Sequence, residues 1–439
     1  MFFLNKYYLL TLIIFSTFYV PNTFSQTDWT LKRMVEQKSV PLEVTEGDYF
    51  GSAVAISDKY AVVGSKKDDE TGKNGGSVYI YEKKDAQWEM VQKFIGDEVS
   101  VTYLGISVEL NGDFAFAGAP QYDLDEDHKD IGLVYIYKRQ ATGEWVQTQK
   151  LIPDPIDGVH EFGDSIAAID DLLIIGASGN LKETGKAFIF RREGDQWIQE
   201  QQIEPEQLDI QDRFGCAVDI SSEFIIVGAF LGNGYKGLAY IFQKVENTWQ
   251  QIKLLTSPSG KPSSQFGRSV CINDQYAVIG SYLDTFEDIK TGVVYVYKRS
   301  ENIENSENNW ELMPTLVENN LEASDKFGIS LDLDENLLMV GASKMNSDVV
   351  NSGVVLLYRI ENDSFTNIKK IVADHPESDV LFGSSLAFSG SNVIIGSEIL
   401  EGNGPKSGGA YFYSPMTHYV PDGSVGIDDV LFLMKRISQ

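Results

Sequence analysis

The sequence predicts an all-β fold, a seven-bladed β-propeller with four strands in each blade. Three observations predict it. A Phe-Gly step recurs seven times at intervals of 52 to 61 residues, each interval holds four strand-like segments, and most intervals end near a tryptophan. A period of this size built from four strands is the signature of a propeller blade. The step falls at Phe50-Gly51, Leu104-Gly105, Phe162-Gly163, Phe214-Gly215, Phe266-Gly267, Phe327-Gly328 and Phe382-Gly383.

The fourth unit shows how one interval becomes a blade. Residues 215–220 read as its first strand. Residues 224–229, Phe-Ile-Ile-Val-Gly-Ala, form a continuous apolar run, which suits a strand buried on both faces. Residues 237–242 and 249–255 supply the third and fourth strands. Third strands elsewhere carry aromatic and β-branched residues, as in Val78-Tyr79-Ile80-Tyr81 and Val294-Tyr295-Val296-Tyr297, which fit a pleated surface packed on its neighbour. The recurring glycines allow close backbone approach where inner strands crowd the axis.

Trp88, Trp145, Trp197, Trp249 and Trp310 open the fourth strand of units one to five, and Phe365 takes that place in unit six. Unit seven runs out after Tyr413. Trp29 stands before the first Phe-Gly step in a similar segment, residues 29–35, so the N-terminal strand is expected to complete the last blade and close the ring.

Three regions follow: a signal peptide over 1–25, the propeller over 26–415, and a tail over 416–439. Lys6 precedes an apolar run from Tyr7 to Val20, and Thr23 and Ser25 are small residues placed for cleavage before Gln26. The run is short for a membrane span, so no transmembrane segment is expected in the mature chain. In the tail, apolar residues at 430, 431, 433, 434 and 437 share one helical face. A short amphipathic helix is expected there, either folded against the propeller or acting as a docking or sorting element. The formal net charge is −28, from 36 basic and 64 acidic residues, which speaks against nucleic acid as a partner.

The repeats resemble the FG-GAP repeats of the integrin α-subunit propeller, and more closely a short FG-GAP variant of secreted bacterial proteins. Phe162-Gly163 with Gly176-Ala177, and Gly118-Ala119-Pro120, carry the resemblance, which covers about residues 27 to 414. It implies a propeller that binds other proteins outside the cell. The integrin-type repeat also carries a calcium loop, DxDxDG, between its first and second strands. Here that link is as tight as Asn111-Gly112-Asp113 or Asp170-Asp171, so those ions are not expected. The best remaining metal candidate is the set Asp123, Asp125 and Asp127. His128 stands where a calcium loop needs glycine, so at most one weakly held calcium ion is expected, and no other cofactor.

Links from strand two to three, and from strand four to the next blade, emerge on one face. They read as acidic, as in Asp68-Asp69-Glu70, residues 123–130, 204–212, 284–288, 318–325 and 374–379. Basic pairs end the third strands near the opposite face: Lys83-Lys84, Lys138-Arg139, Arg191-Arg192 and Lys298-Arg299. The pattern reads either as solvated loop charge or as an acidic binding face. Catalysis has little support. His128, His160, His375 and His418 share no metal-type spacing, and the serines at 107, 165, 269, 330 and 385 recur too often to include a single nucleophile. Cys216 and Cys271 lie one and four residues beyond their Phe-Gly glycines. That offset puts them at different heights, roughly 10 Å apart along a strand, which favours two buried thiols over a bridge. The expected function is a secreted or cell-surface, non-catalytic binding or adhesion scaffold, contacting an extracellular protein or glycan. The alternative is a carbohydrate-binding or carbohydrate-processing propeller.

Overall fold

A computed structural model gives the fold and describes residues 34–415, apart from 86, 98–99, 180–183, 206–208, 210, 301–309 and 319. The signal-peptide segment, Trp29 and the tail helix lie outside the described residues. Twenty-eight strands form seven four-stranded antiparallel sheets. Blade 1 is β2 (Phe50–Ile56), β3 (Tyr60–Ser65), β4 (Ser77–Lys84) and β5 (Gln87–Ile95). Blade 2 is β6 (Val108–Asn111), β7 (Phe114–Ala119), β8 (Leu133–Arg139) and β9 (Trp145–Leu151). Blade 3 is β10 (Phe162–Ile169), β11 (Leu172–Ala177), β12 (Lys186–Glu193) and β13 (Gln196–Ile203). Blade 4 is β14 (Phe214–Ile220), β15 (Phe224–Ala229), β16 (Leu238–Val245) and β17 (Thr248–Thr256). Blade 5 is β18 (Ser269–Ile272), β19 (Tyr276–Ser281), β20 (Val293–Arg299) and β21 (Trp310–Leu312). Blade 6 is β22 (Phe327–Asp334), β23 (Leu337–Ala342), β24 (Val354–Glu361) and β25 (Ser364–Ile371). Blade 7 is β26 (Ser385–Ser389), β27 (Asn392–Ser397) and β28 (Gly409–Pro415), completed by β1 (Met34–Ser39). Among the described residues no helix is long and apolar enough to cross a membrane.

The repeated residues do mechanical work between blades. Each Phe of the step, and Leu104, is fully buried. Each Phe ring meets an aromatic of its own third strand, edge-on in five of the six, as in Phe50 on Tyr79 (5.0 Å) and Phe382 on Tyr411 (5.1 Å), and tilted in Phe266 on Tyr295. The second-strand glycine lies against the next blade, and a Cβ on Gly64 would sit 1.9 Å from the Gly105 carbonyl oxygen. The recurring serines tie the same seam. Ser107, Ser165, Ser269, Ser330 and Ser385 each donate to the Phe-Gly glycine carbonyl of the next blade at 2.6–2.8 Å. Units one and four have Ala53 and Ala217 at that position. There the preceding residue reaches across instead, Ser52 Oγ to Gly105 O at 3.4 Å and Cys216 Sγ to Gly267 O at 3.5 Å. Both cysteines are free, buried thiols, as the offset predicts.

The ring closes through the N-terminal strand. β1 pairs with β28 from Met34–Pro415 to Ser39–Ala410. The outer seam is a glutamine fork: Gln37 donates to Trp88 O (2.6 Å) and accepts from Trp88 N (2.8 Å). Gln92 on Trp145, Gln149 on Trp197 and Gln201 on Trp249 repeat it. In these three a tryptophan stands four residues before the glutamine. Four before Gln37 is position 33, an arginine; the N-terminal strand completes blade 7 as expected, and Trp29 itself lies outside the described residues. The fork aligns β1 with blade 1.

Candidate functional site

The residue before each Phe is held in the left-handed region, with φ between 53° and 63° at Tyr49, Tyr103, Glu161, Arg213, Gln265, Lys326 and Leu381. Such a conformation is costly for a side-chain-bearing residue and persists where surrounding structure enforces it. The seven positions ring the end of the channel where the long links emerge. A cavity of about 290 Å³ opens there, lined by Lys66, Tyr103, Glu161, Asp164, Arg213, Phe230 and Arg268 among others. These residues come from five consecutive blades, which places the cavity on the propeller axis.

One side of this mouth is electrostatically closed. Lys66 pairs with Glu398 at 2.7 Å, and Arg213 with Glu161 at 2.9 Å. Ser178 Oγ lies 3.1 Å from Glu161 and 2.7 Å from Asp164. Burial holds the Glu161 carboxyl above the usual range despite Arg213. The other side is open. Arg268 lies over the Phe230 ring at 5.5 Å, and Lys326 Nζ lies 5.8 Å from the Tyr282 ring centroid. Among the described residues neither of them, nor Lys344, has a carboxylate in ion-pair range. Burial, and then the Lys344 charge, lower the Lys326 ammonium below its ordinary range.

Deeper in the channel, Glu109, Asp219 and Asp332 occupy the fourth position after their Phe-Gly glycine, in blades 2, 4 and 6. Blades 1, 3, 5 and 7 place Ala55, Ala167, Cys271 and Ala387 there. Asp219 accepts from Ile220 N (2.8 Å) and from Ile272 N of the next blade (2.6 Å). Asp332 does the same with Leu333 N and Phe388 N, both at 2.8 Å. Glu109 accepts from Leu110 N at 2.8 Å. Burial pushes Glu109 up to about 8 and Asp219 and Asp332 up to about 7, with smaller contributions from the charges of Asp219 and Asp332 at Glu109, of Asp332 at Asp219, and of Asp334 at Asp332. Sequence reasoning missed all three. The signal was available: an acid at one fixed offset in an otherwise apolar inner strand, in alternate repeats.

The charge pattern of the two faces is corrected in part. Asp68, Asp212, Asp284 and Asp325, read as loop-face charge, are only 1–5 % exposed. They brace the links from inside. Asp68 accepts from Ser77 Oγ (2.7 Å) and pairs with Lys93 (2.7 Å), and Asp284 accepts from the Tyr295 hydroxyl at 2.9 Å. The basic pairs on the opposite face are matched by short-link carboxylates: Arg139 with Asp113, Arg191 with Asp171, Lys138 with Asp195, and Lys298 with Asp363.

The calcium candidates do not converge. Asp125 holds the His128 ring at 2.8 Å, and Asp123 holds Lys129 at 3.0 Å. Among the described residues no group of three or more His, Cys, Asp or Glu side chains is arranged to hold a metal ion. The links between first and second strands are only two or three residues long. They do not fit the integrin-type calcium loop, whose ligands alone span more residues.

The FG-GAP repeat family matches residues 34–81, 145–190, 197–242, 249–297 and 365–413, more than half of the chain. The chain is an FG-GAP repeat protein. Each matched segment starts on the fourth strand of one blade and ends on the third strand of the next. The FG-GAP unit is therefore offset from the blade by one strand, which is why β1 must complete blade 7. Integrin alpha-6 of Gallus gallus is 30% identical over 154 residues, which is 32% of this chain. That alignment spans 14% of the integrin's length. A crystal structure of a protein from Lactobacillus plantarum is 12% identical, with a TM-score of 0.49, over 74% of this FG-GAP chain and 85% of its own.

Proposed function

We propose that this FG-GAP propeller is a non-catalytic scaffold, secreted or held at the cell surface, that binds a partner protein through the face bearing its long links. One observation carries the reading. Leu42 (94 % exposed), Val350 (62 %), Tyr235 (52 %), Ile289 (46 %), Phe286 (38 %) and Val101 (38 %) all lie in links on that face. The described links of the opposite face are short and polar. Large apolar side chains ringed by polar ones are the make-up of a protein contact surface. β1 and β28 are outermost and third strands, so the described chain enters and leaves on the opposite face. The resemblance to integrin α supports an extracellular setting.

The test compares binding to surface and medium proteins of the producing cells. A triple variant, Tyr235→Ser, Ile289→Asp and Val350→Asp, is expected to lose binding, while the rim variant Ile198→Asp keeps it. Equal binding by the two variants would refute the reading. Carbohydrate binding is the second reading, and the axial cavity favours it, since Tyr103 and Phe230 share it with Glu161 and Asp164. Glycan binding that survives the triple variant and is lost in Tyr103→Ala would select it.

A further inference from the structure

The mouth of the channel runs against the charge of the chain. The protein carries 64 acidic against 36 basic residues. At the mouth itself Lys66 and Arg213 are neutralised by Glu398 and Glu161. Among the described residues Arg268, Lys326 and Lys344 make no ion pair; they stand on neighbouring blades, Lys326 and Lys344 repel, and the Glu398 charge, already paired with Lys66, offsets this only in part at Lys326. With this surplus of carboxylates, three adjacent cations that make no ion pair among the described residues are a specific departure. Uncompensated like charges beside one another are unfavourable until an anion joins them.

Their arrangement fits one kind of guest. Tyr282 stands between them, with the Arg268 charge acting on its phenol and Lys326 over its ring. Its hydroxyl makes no hydrogen bond within the described protein. Arg268 lines the concave site, and the Tyr282 phenol with the two ammonium groups lies next to it. The stacking of Arg268 on Phe230 orients its planar fork, the geometry that matches a carboxylate.

We propose that Arg268, Lys326, Lys344 and Tyr282 form an anion-binding site that receives a carboxylate side chain of a partner polypeptide at the channel mouth. The inference rests on the proposed protein-binding role and adds its charge selectivity. The apolar residues of the same face make the broad contact, and one acidic side chain enters the mouth. The neutralised Lys66–Glu398 and Arg213–Glu161 side leaves the guest a single favourable rim.

The probe is an N-acetylated hexaglutamate peptide, titrated by calorimetry into the full chain at constant ionic strength. Saturable binding is expected, weakened at least tenfold by Arg268→Gln and by the Lys326→Gln, Lys344→Gln double variant. Lys261→Gln, which removes the same charge from the same face outside the mouth, should change affinity less than twofold. Thermal melts of all variants within about a degree of the parent exclude misfolding, and Lys344→Gln alone, at a half-buried link position, gives a second reading. Equal weakening by Lys261→Gln, or no saturable binding, overturns the proposal. So does a glucuronate oligosaccharide that binds while the peptide does not. The titration fails or succeeds independently of the apolar triple variant, so the two readings are separable.

Discussion

Replacing Gly64 with alanine tests how the blades are held at the axis. Its Cβ would lie 1.9 Å from Gly105 O, 2.8 Å from Gly105 C and 3.1 Å from Gly105 Cα. All three are backbone atoms, so no flexible side chain can give way. An ordinary carbon–oxygen contact needs well over 3 Å, so blades 1 and 2 must part by more than ~1 Å at their inner seam. Gly105 N also donates to Gly118 O at 2.9 Å, and moving Gly105 strains the inner hydrogen bonding of blade 2 itself. Overpacking costs about 1–3 kcal/mol and occasionally more, and a backbone-on-backbone clash belongs at or above the top of that range, ~3 kcal/mol. Gly96 is the control. Like Gly64 it does not need a left-handed backbone, but its Cβ would meet only ordinary contacts at 3.8–4.0 Å. Gly96→Ala should be neutral, or stabilising by up to ~1 kcal/mol through the unfolded chain. At ~2 cal/mol/K per residue, a loss of ~3 kcal/mol lowers Tm by roughly 4 °C in a propeller of this size. Calorimetric melts and urea titrations read the difference directly. If Gly64→Ala melts within a degree of Gly96→Ala, close inner packing is not what holds the ring.

Gln37→Ala removes both arms of the closing fork and should cost about 1–2 kcal/mol in urea unfolding; a loss under ~0.3 kcal/mol would place closure in the β1–β28 ladder alone. Glu109 has a pKa raised to about 8, so the native state binds the proton more tightly than the unfolded chain. Its effect is to make stability fall as pH rises from ~4 towards 8 and level off above. Glu109→Gln should therefore be more stable than the parent at pH 8 by about 1–3 kcal/mol, with the gain vanishing near pH 4; a constant difference across that range would contradict the assignment. Calcium calorimetry at physiological salt should show at most one weak site, lost in Asp125→Ala, whereas several saturable micromolar sites would overturn the reading of the short links.

Much of the fold was legible because local chemistry repeats. The Phe-Gly steps, the apolar second strands and the aromatic third strands follow from period-two packing around an axis, and each unit states them again. The closing strand was legible in kind, since unit seven lacks a fourth strand. Its register was not, because Gln37 meets Trp88 across 51 residues of sequence. The serines were readable as structural from recurrence alone, although their acceptor lies in the next blade. Charge was read least well. Asp68 and Asp284 look like loop acids in sequence, yet they turn inward because buried Ser, Lys and Tyr groups need an acceptor there. The site depends most on tertiary structure. Arg268, Lys326 and Lys344 sit in three different links, and Glu109, Asp219 and Asp332 in alternate repeats. Sequence puts Glu109, Asp219 and Asp332 at one repeated offset from a Phe-Gly step and the three cations at unrelated positions, and only closure of the ring makes either set neighbours around one axis.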